Sequence, residues 1–229
     1  MESAATINVK PPSFFWRLCA PGIGLFLAWL IVCAIAGMQA NSNGLAQYAL
    51  PISVATGAVF MVVAFILVGS FTQRLELNWR FVKRDWLIGS AGVVAIYSTT
   101  FMMNQMLGLP REDLMQNLFV NQTALGVIAL LLAIVVAAPI GEEIALRYFL
   151  LGAFTFKPTP VWEHIAIVLT AGVFMLIHVP QYEYLTTHIT ILGVGLLMGY
   201  IRVRSGGLLL PMILHAQAGA TALIFNTLY

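Results

Sequence analysis

Seven apolar stretches constrain this sequence more than any other feature. A bilayer core about 30 Å thick takes about 20 helical residues to cross, and each stretch approaches or exceeds that length. They cover residues 18–38, 51–71, 86–107, 123–154, 161–179, 184–201 and 208–227. Because 60% of the residues are hydrophobic and only 9% are charged, a soluble globule is excluded. We therefore predict an all-α fold, a polytopic transmembrane helix bundle of about seven spans.

Lys and Arg are distributed unevenly between the two sides of this predicted bundle. If the N-terminus is cytoplasmic, only Arg111 falls in an outer loop. The inner segments hold Lys10, Arg17, Arg74, Arg80, Lys83, Arg84, Lys157, Arg202 and Arg204. Since cytoplasmic loops carry an excess of Lys and Arg, we predict a protein of the cell (inner) membrane with a cytoplasmic N-terminus and its C-terminus outside. The first apolar stretch is longer than the roughly 7–15 residues of a secretory signal, so we expect it to be retained.

Three charged residues interrupt the fourth apolar stretch, where a charge costs at least roughly 2.5–3.5 kcal/mol. Glu143 and Arg147 are four residues apart, so they share a helix face and can pair. Glu142 is rotated by about 100° from Glu143. We predict that it faces a cavity as an unpaired carboxylate, a candidate general base. The alternative is that all three residues form a structural ion-pair cluster.

Two of the four histidines lie deep in apolar stretches. His178 follows Phe174 by one helical turn in the fifth stretch, and His215 lies in the seventh. A glutamate and a histidine can hold and deprotonate a water molecule, and a second histidine can stabilise a developing oxyanion. His164 and His188 lie near predicted helix starts, and we expect them to be interfacial or structural.

These motifs, in this order, resemble the CPBP family of CAAX prenyl proteases, bacteriocin-processing enzymes and lysostaphin-resistance-protein-like relatives. The resemblance consists of EExxxR at Glu142, Glu143 and Arg147, FxxxH at Phe174 and His178, and the later His215. It covers about residues 86–225. We therefore divide the chain into residues 1–85, with two spans and a cytoplasmic interfacial loop over 72–85, and residues 86–229, a CPBP-like catalytic core of about five spans.

The resemblance implies an intramembrane endopeptidase that hydrolyses a peptide bond without a covalent intermediate or a cofactor. In that mechanism Glu142 is the general base on water, and His178 assists it. His215 would stabilise the oxyanion, while Glu143 and Arg147 would brace the site. The expected partners are membrane lipids and a peptide or protein substrate, which can be a CAAX protein, a leader peptide or a pheromone. The chain has no basic stripe outside the loops, so we expect no nucleic-acid partner.

One position departs from the family pattern. The family has Asn four residues after the last His, and this chain has Gly219. Gln217 lies about 200° around a helix from His215 and does not replace that amide; Asn104 and Gln105 are candidate donors from the third span. A non-proteolytic membrane scaffold or regulatory protein is therefore the alternative function. A small transporter is a third alternative, because intramembrane Glu and His also serve proton relays.

Other hydrolytic mechanisms fit the sequence less well. Glu142, His178 and His215 would suit zinc, but there is no HExxH motif, so we predict no metal and keep zinc as the alternative. The chain has no GxSxG motif, and its only aspartates, Asp85 and Asp113, are predicted to lie in loops. We therefore expect neither a serine nor an aspartyl protease.

Overall fold

The computed structural model describes residues 21–68, 81–155 and 159–228. All long elements in these residues are helices, and these residues contain no strand. Within these residues, seven helices are long and apolar enough to cross a membrane, so the prediction of an all-α bundle with seven spans is confirmed. They are α1 (Pro21–Ser42), α2 (Ala49–Val68), α3 (Lys83–Leu107), α4 (Ala124–Phe154), α5 (Pro160–His178), α6 (Leu185–Ser205) and α7 (Leu209–Asn226). The protein is a multi-pass membrane protein.

Two predicted loop positions were wrong, because acidic residues begin helices here. Asp85 lies in the first turn of α3, where it is buried and its carboxylate lies 2.7 Å from Nε of Arg204. Asp113 begins a short helix, Asp113–Asn117, between α3 and α4. The positive end of the helix dipole favours a carboxylate at both places. The remainder of the predicted interfacial loop, residues 72–80, lies outside the described residues.

The charged helix α4 is irregular. Two π-helical turns, Ala133–Ala137 and Ile144–Leu150, flank the α-helical segment Ala138–Glu143. Pro139 is the second residue after the first π-helical turn, and a widened turn accommodates a residue that lacks a backbone N–H. The two glutamates therefore lie between two places where the helix departs from regular α geometry, as is frequent at functional sites.

One end of the bundle, which we call the basic end, contains the starts of α1, α3, α5 and α7 and the ends of the other spans. The Asp85–Arg204 pair joins the start of α3 to the end of α6. At the start of α1, a Cβ on Gly22 would lie 2.5 Å from Ala153 Cβ near the end of α4. Lys83 begins α3 at this end and is exposed.

The opposite end, which we call the acidic end, contains the connections 43–48, 108–123 and 179–184. The Tyr48 hydroxyl lies 3.2 Å from Oγ1 of Thr123, which joins the first two of these connections. Glu112 joins the second to the third, because its carboxylate accepts hydrogen bonds from the backbone N–H groups of Glu183 and Tyr184. These bonds also satisfy donors just before α6.

Small residues let the helices around α4 approach closely. A Cβ on Gly141 would lie 3.0 Å from the backbone of Ala58 in α2, and a Cβ on Gly195 would lie 3.1 Å from the backbone of Ala171 in α5. Close backbone approach of this kind is the usual packing of helices in membranes. Because α2 packs on α4 directly beside the glutamates, the first two helices form a wall of the site. The division of the chain at residue 85 stays a prediction.

Candidate active site

Glu143 and Arg147 form a fully buried ion pair in α4, in agreement with their spacing. Arg147 Nε lies 3.4 Å from Oε2 of Glu143, and both side chains are 0% exposed. A second guanidinium nitrogen of Arg147 donates to the backbone carbonyl of Gly195 at 3.1 Å. The guanidinium carbon lies 5.0 Å from the ring centroid of Phe174, at cation–π distance. Arg147 thus ties α4 to α5 and α6.

His215 lies between the two glutamates, an arrangement the sequence did not indicate. Its Nδ1 lies 2.8 Å from Oε1 of Glu143, and its Nε2 lies 3.6 Å from Oε2 of Glu142. Glu142 and His215 keep 14% and 12% of their side-chain surface exposed. No residue in the described part of the chain donates a hydrogen bond to that oxygen of Glu142. Oε2 of Glu143 likewise accepts no hydrogen bond from the described residues, but it faces Arg147 in the fully buried pair. Glu142 lines a cavity and is therefore the carboxylate that a ligand can reach.

The two ring nitrogens of His178 differ, because only Nδ1 lies within hydrogen-bond distance of a backbone carbonyl. Its Nδ1 lies 2.7 Å from the backbone carbonyl oxygen of Phe174. A carbonyl oxygen only accepts, so we assign the proton to Nδ1, which makes Nε2 of the neutral ring an acceptor. The ring of Phe174 lies 4.6 Å from the ring of His178 and 5.6 Å from that of His215, between centroids. Phe174 thus holds both histidines against one aromatic ring.

A cavity of about 210 Å³ brings together the three predicted catalytic side chains, Glu142, His178 and His215. A second cavity, of about 160 Å³, also contacts Glu142 and His178, and Trp29 and Ser53 of the first two helices line its other side. Both cavities exceed the volume of one water molecule several-fold. The carboxylate and the imidazole therefore lie at the junction of two spaces that can hold water.

Tyr182 lines the larger cavity and was not singled out from the sequence. Its ring is nearly parallel to that of His178, with centroids 6.5 Å apart and 17° between the planes. Burial, together with the charges of Glu112 and Glu142, raises the pKa of Tyr182 to about 12. The phenol therefore keeps its proton at neutral pH and can donate a hydrogen bond. It lies in a connection between helices, where no periodicity marks it.

Arg202 lies near the site, and the sequence analysis placed it wrongly. Counted as an inner loop residue, it lies instead inside the bundle near the end of α6 and is 0% exposed. Its Nε donates to the backbone carbonyl of Arg147 at 3.4 Å. The interior around the site thus holds two arginines and two glutamates, whose formal charges cancel.

The residues considered as replacements for the missing amide lie elsewhere. Gln217 accepts a hydrogen bond from Oγ of Ser90 at 2.7 Å, away from the cavity of Glu142, and Gln105 is exposed on the outside of α3. Asn104 is buried beside a different cavity. At Gly219 itself, a Cβ would lie 3.1 Å from both the carbonyl oxygen and Cγ2 of Ile134. The first π-helical turn of α4 therefore leaves little room for a side chain at position 219.

Two histidines lie apart from the site, while one cysteine lines its smaller cavity. His164 is exposed at the start of α5 and His188 lies in the first turn of α6, and their interfacial or structural role stays a prediction. Cys33 is a free cysteine beside the smaller cavity, and Cys19 lies outside the described residues. Within the ranges that the structure describes, no three His, Cys, Asp or Glu side chains are placed to hold a metal ion. The expectation of no metal, with zinc as the alternative, stays a prediction.

Comparison with known proteins points to one family. Residues 123–220 match the family described as Rce1-like, the type II CAAX prenyl endopeptidase Rce1-like proteins. The chain is also 36% identical over 148 residues to an Escherichia coli protein described as an uncharacterized 24.3 kDa protein. That match covers 64% of this chain and 66% of the relative. No solved structure matches. The matched region begins at α4 and contains every residue of the three motifs.

Proposed function

Because residues 123–220 form a domain of the Rce1-like family, we propose that this protein is an intramembrane endopeptidase that activates water with Glu142. One observation carries the proposal. Glu142 lines a cavity together with His178 and His215 and keeps 14% of its side-chain surface exposed, whereas Glu143 is fully buried. The neighbouring Glu143 pairs with Arg147 and His215, so only one of the two glutamates is available to a water molecule.

The proposed reaction begins with a water molecule between Glu142 and His178. Glu142 takes a proton from this water, and the water oxygen attacks the carbonyl carbon of the substrate peptide bond. Nε2 of His178, an acceptor in the assigned tautomer, receives the second hydrogen bond of the water and orients its lone pair. The C–N bond then breaks as Glu142 returns the proton to the leaving amine, so the carboxylate is regenerated.

The tetrahedral intermediate needs a hydrogen-bond donor at its oxyanion. The family resemblance assigns that role to His215, but both ring nitrogens of His215 face carboxylates. We therefore assign the oxyanion contact to the hydroxyl of Tyr182, which lines the same cavity and is protonated at neutral pH. In this scheme His215 positions Glu142 relative to the buried Glu143–Arg147 pair.

Cleavage of a quenched fluorescent peptide library by the purified full-length protein in detergent tests the proposal. We expect turnover by the wild type and a loss of about 10²–10⁴-fold in Glu142→Gln. Glu183→Gln is the matched control, because Glu183 is exposed at the acidic end and lines none of the cavities described above. We expect the wild type to keep its cleavage activity in the presence of a zinc chelator. A folded wild type that cleaves no library member would favour the scaffold alternative.

A further inference from the structure

From the position of the cavities relative to the charged ends of the bundle, we infer that the site opens to the non-cytoplasmic side of the membrane, and that its substrate is a peptide segment presented from that side. The inference deepens the proposed function, and its statement about the substrate rests on that function. The direction of the opening itself rests on separate observations.

The walls of both site cavities include residues at the acidic end of the bundle. Leu50 and Val54 begin α2, and Gln181 follows α5; all three line both cavities that contact Glu142. The short helix Asp113–Asn117 adds Leu114 and Met115 to the wall of the larger cavity. These residues all lie in or next to the connections at the acidic end.

A third cavity extends this space to the surface of the acidic end. It has a volume of about 120 Å³ and shares Tyr97, Met115 and Tyr182 with the cavity of Glu142. Its far wall contains Arg111 and Asn226 at the end of α7. A continuous row of cavities therefore runs from Glu142 to the end of the bundle where α7 finishes.

The basic end is closed beneath the site. Arg147, Leu146, Arg202 and Leu214 are 0% exposed, and they pack between the glutamates and that end. None of the residues described at the basic end, which are 21–25, 64–68, 81–85, 155, 159–163 and 203–208, lines any of the three cavities. In the described part of the chain, none of the three cavities leads from the site to this end.

The charges identify which end faces the cytoplasm. At the basic end Lys83 and Arg84 are exposed, and Arg204 is half-exposed and pairs with Asp85. At the acidic end Arg111 is the single Lys or Arg of the described chain. Removing the buried Arg202 from the inner count of the sequence still leaves eight against one. Because cytoplasmic ends are rich in Lys and Arg, the acidic end, and with it the opening, faces outward.

The direction of the opening selects among substrates. A peptide reaching Glu142 must enter from the outer face or laterally near it, as a leader peptide or a secreted peptide does after transport. A C-terminal segment of a cytoplasmic prenylated protein would meet the closed end. The substrate class favoured by the structure is therefore an exported or membrane-anchored peptide with its cleavage site on the outer side.

Thiol labelling tests the direction without any need for activity. In a chain whose two cysteines are replaced by Ser, we would introduce Asn43→Cys at the acidic end, Gln181→Cys at the opening and Lys83→Cys at the basic end, all at exposed positions. A membrane-impermeant maleimide added to intact Escherichia coli cells should label the first two and should label the third only after permeabilisation. Labelling of Lys83→Cys alone in intact cells, or of Asn43→Cys without Gln181→Cys, would overturn the inference.

Cleavage from each side separates this inference from the proposed function. An impermeant quenched peptide should be cleaved in a Glu142-dependent manner by intact cells and not by inside-out vesicles. Cleavage by inside-out vesicles alone would overturn the inference and keep the peptidase. Correct labelling with no cleavage of the library from either side would keep the opening and overturn the peptidase.

Discussion

The buried pair between Glu143 and Arg147 allows a quantitative prediction, because neither charge has access to water. Both side chains are 0% exposed, so Glu143→Gln removes the negative charge that faces the buried guanidinium of Arg147. Removing one partner of such a pair costs about 3–5 kcal/mol. Arg147→Met leaves the Glu143 carboxylate with His215 and should cost a similar amount. Glu142 is partly exposed to a cavity, so Glu142→Gln should cost less than about 1.5 kcal/mol.

Thermal unfolding in detergent, followed by tryptophan fluorescence, measures these differences. For a chain of this size 1 kcal/mol corresponds to about 2–4 °C in Tm. Glu143→Gln and Arg147→Met should therefore lower Tm by roughly 6–20 °C, and Glu142→Gln by less than about 6 °C. The double variant Glu143→Gln/Arg147→Met should be less destabilised than the sum of the two single changes, since it strands neither charge.

Two results would refute this reasoning. Equal Tm values for all three single variants would show that the two glutamates do not differ in structural role. Strict additivity in the double variant would show that the two side chains do not interact, despite the 3.4 Å between their charged atoms. Either result would leave the proposed division of roles, with Glu142 for chemistry and Glu143 for structure, without support.

Three further predictions concern other parts of the molecule. Tyr182→Phe should lower kcat by about 10²-fold with little change in KM, because it removes one oxyanion donor, while Tyr184→Phe, which lies outside the three cavities, should retain activity. An equal kcat in Tyr182→Phe would remove Tyr182 from the mechanism. Gly219→Asn should lower Tm and not raise turnover, since its Cβ would press on Ile134; faster cleavage would show that the site lacks an amide donor after all. Glu112→Gln should cost about 1–3 kcal/mol in chemical denaturation, because the N–H groups that precede α6 lose their carboxylate; an unchanged midpoint would contradict this.

The positions of the spans and the Glu143–Arg147 pair could be predicted from the sequence because both follow from local physics. The apolar length needed to cross a bilayer is a property of each stretch by itself. The pairing of two charges four residues apart is a property of one helix. The errors at Asp85 and Arg202 occur at helix ends, where burial depends on the neighbouring helix and hydropathy does not report it.

The tertiary structure alone decided what each polar group contacts. His215 is 72 residues from Glu143 in the chain, so no spacing rule places its ring between the two glutamates. Tyr182 joins the site because the end of α5 brings it beside His178, and Gly219 is small because a π-helical turn of α4 crosses it. The direction of the opening likewise depends on which connections line the cavities. The sequence by itself thus determined seven membrane helices and their charged residues, while packing between helices determined which carboxylate remains free and from which side it can be reached.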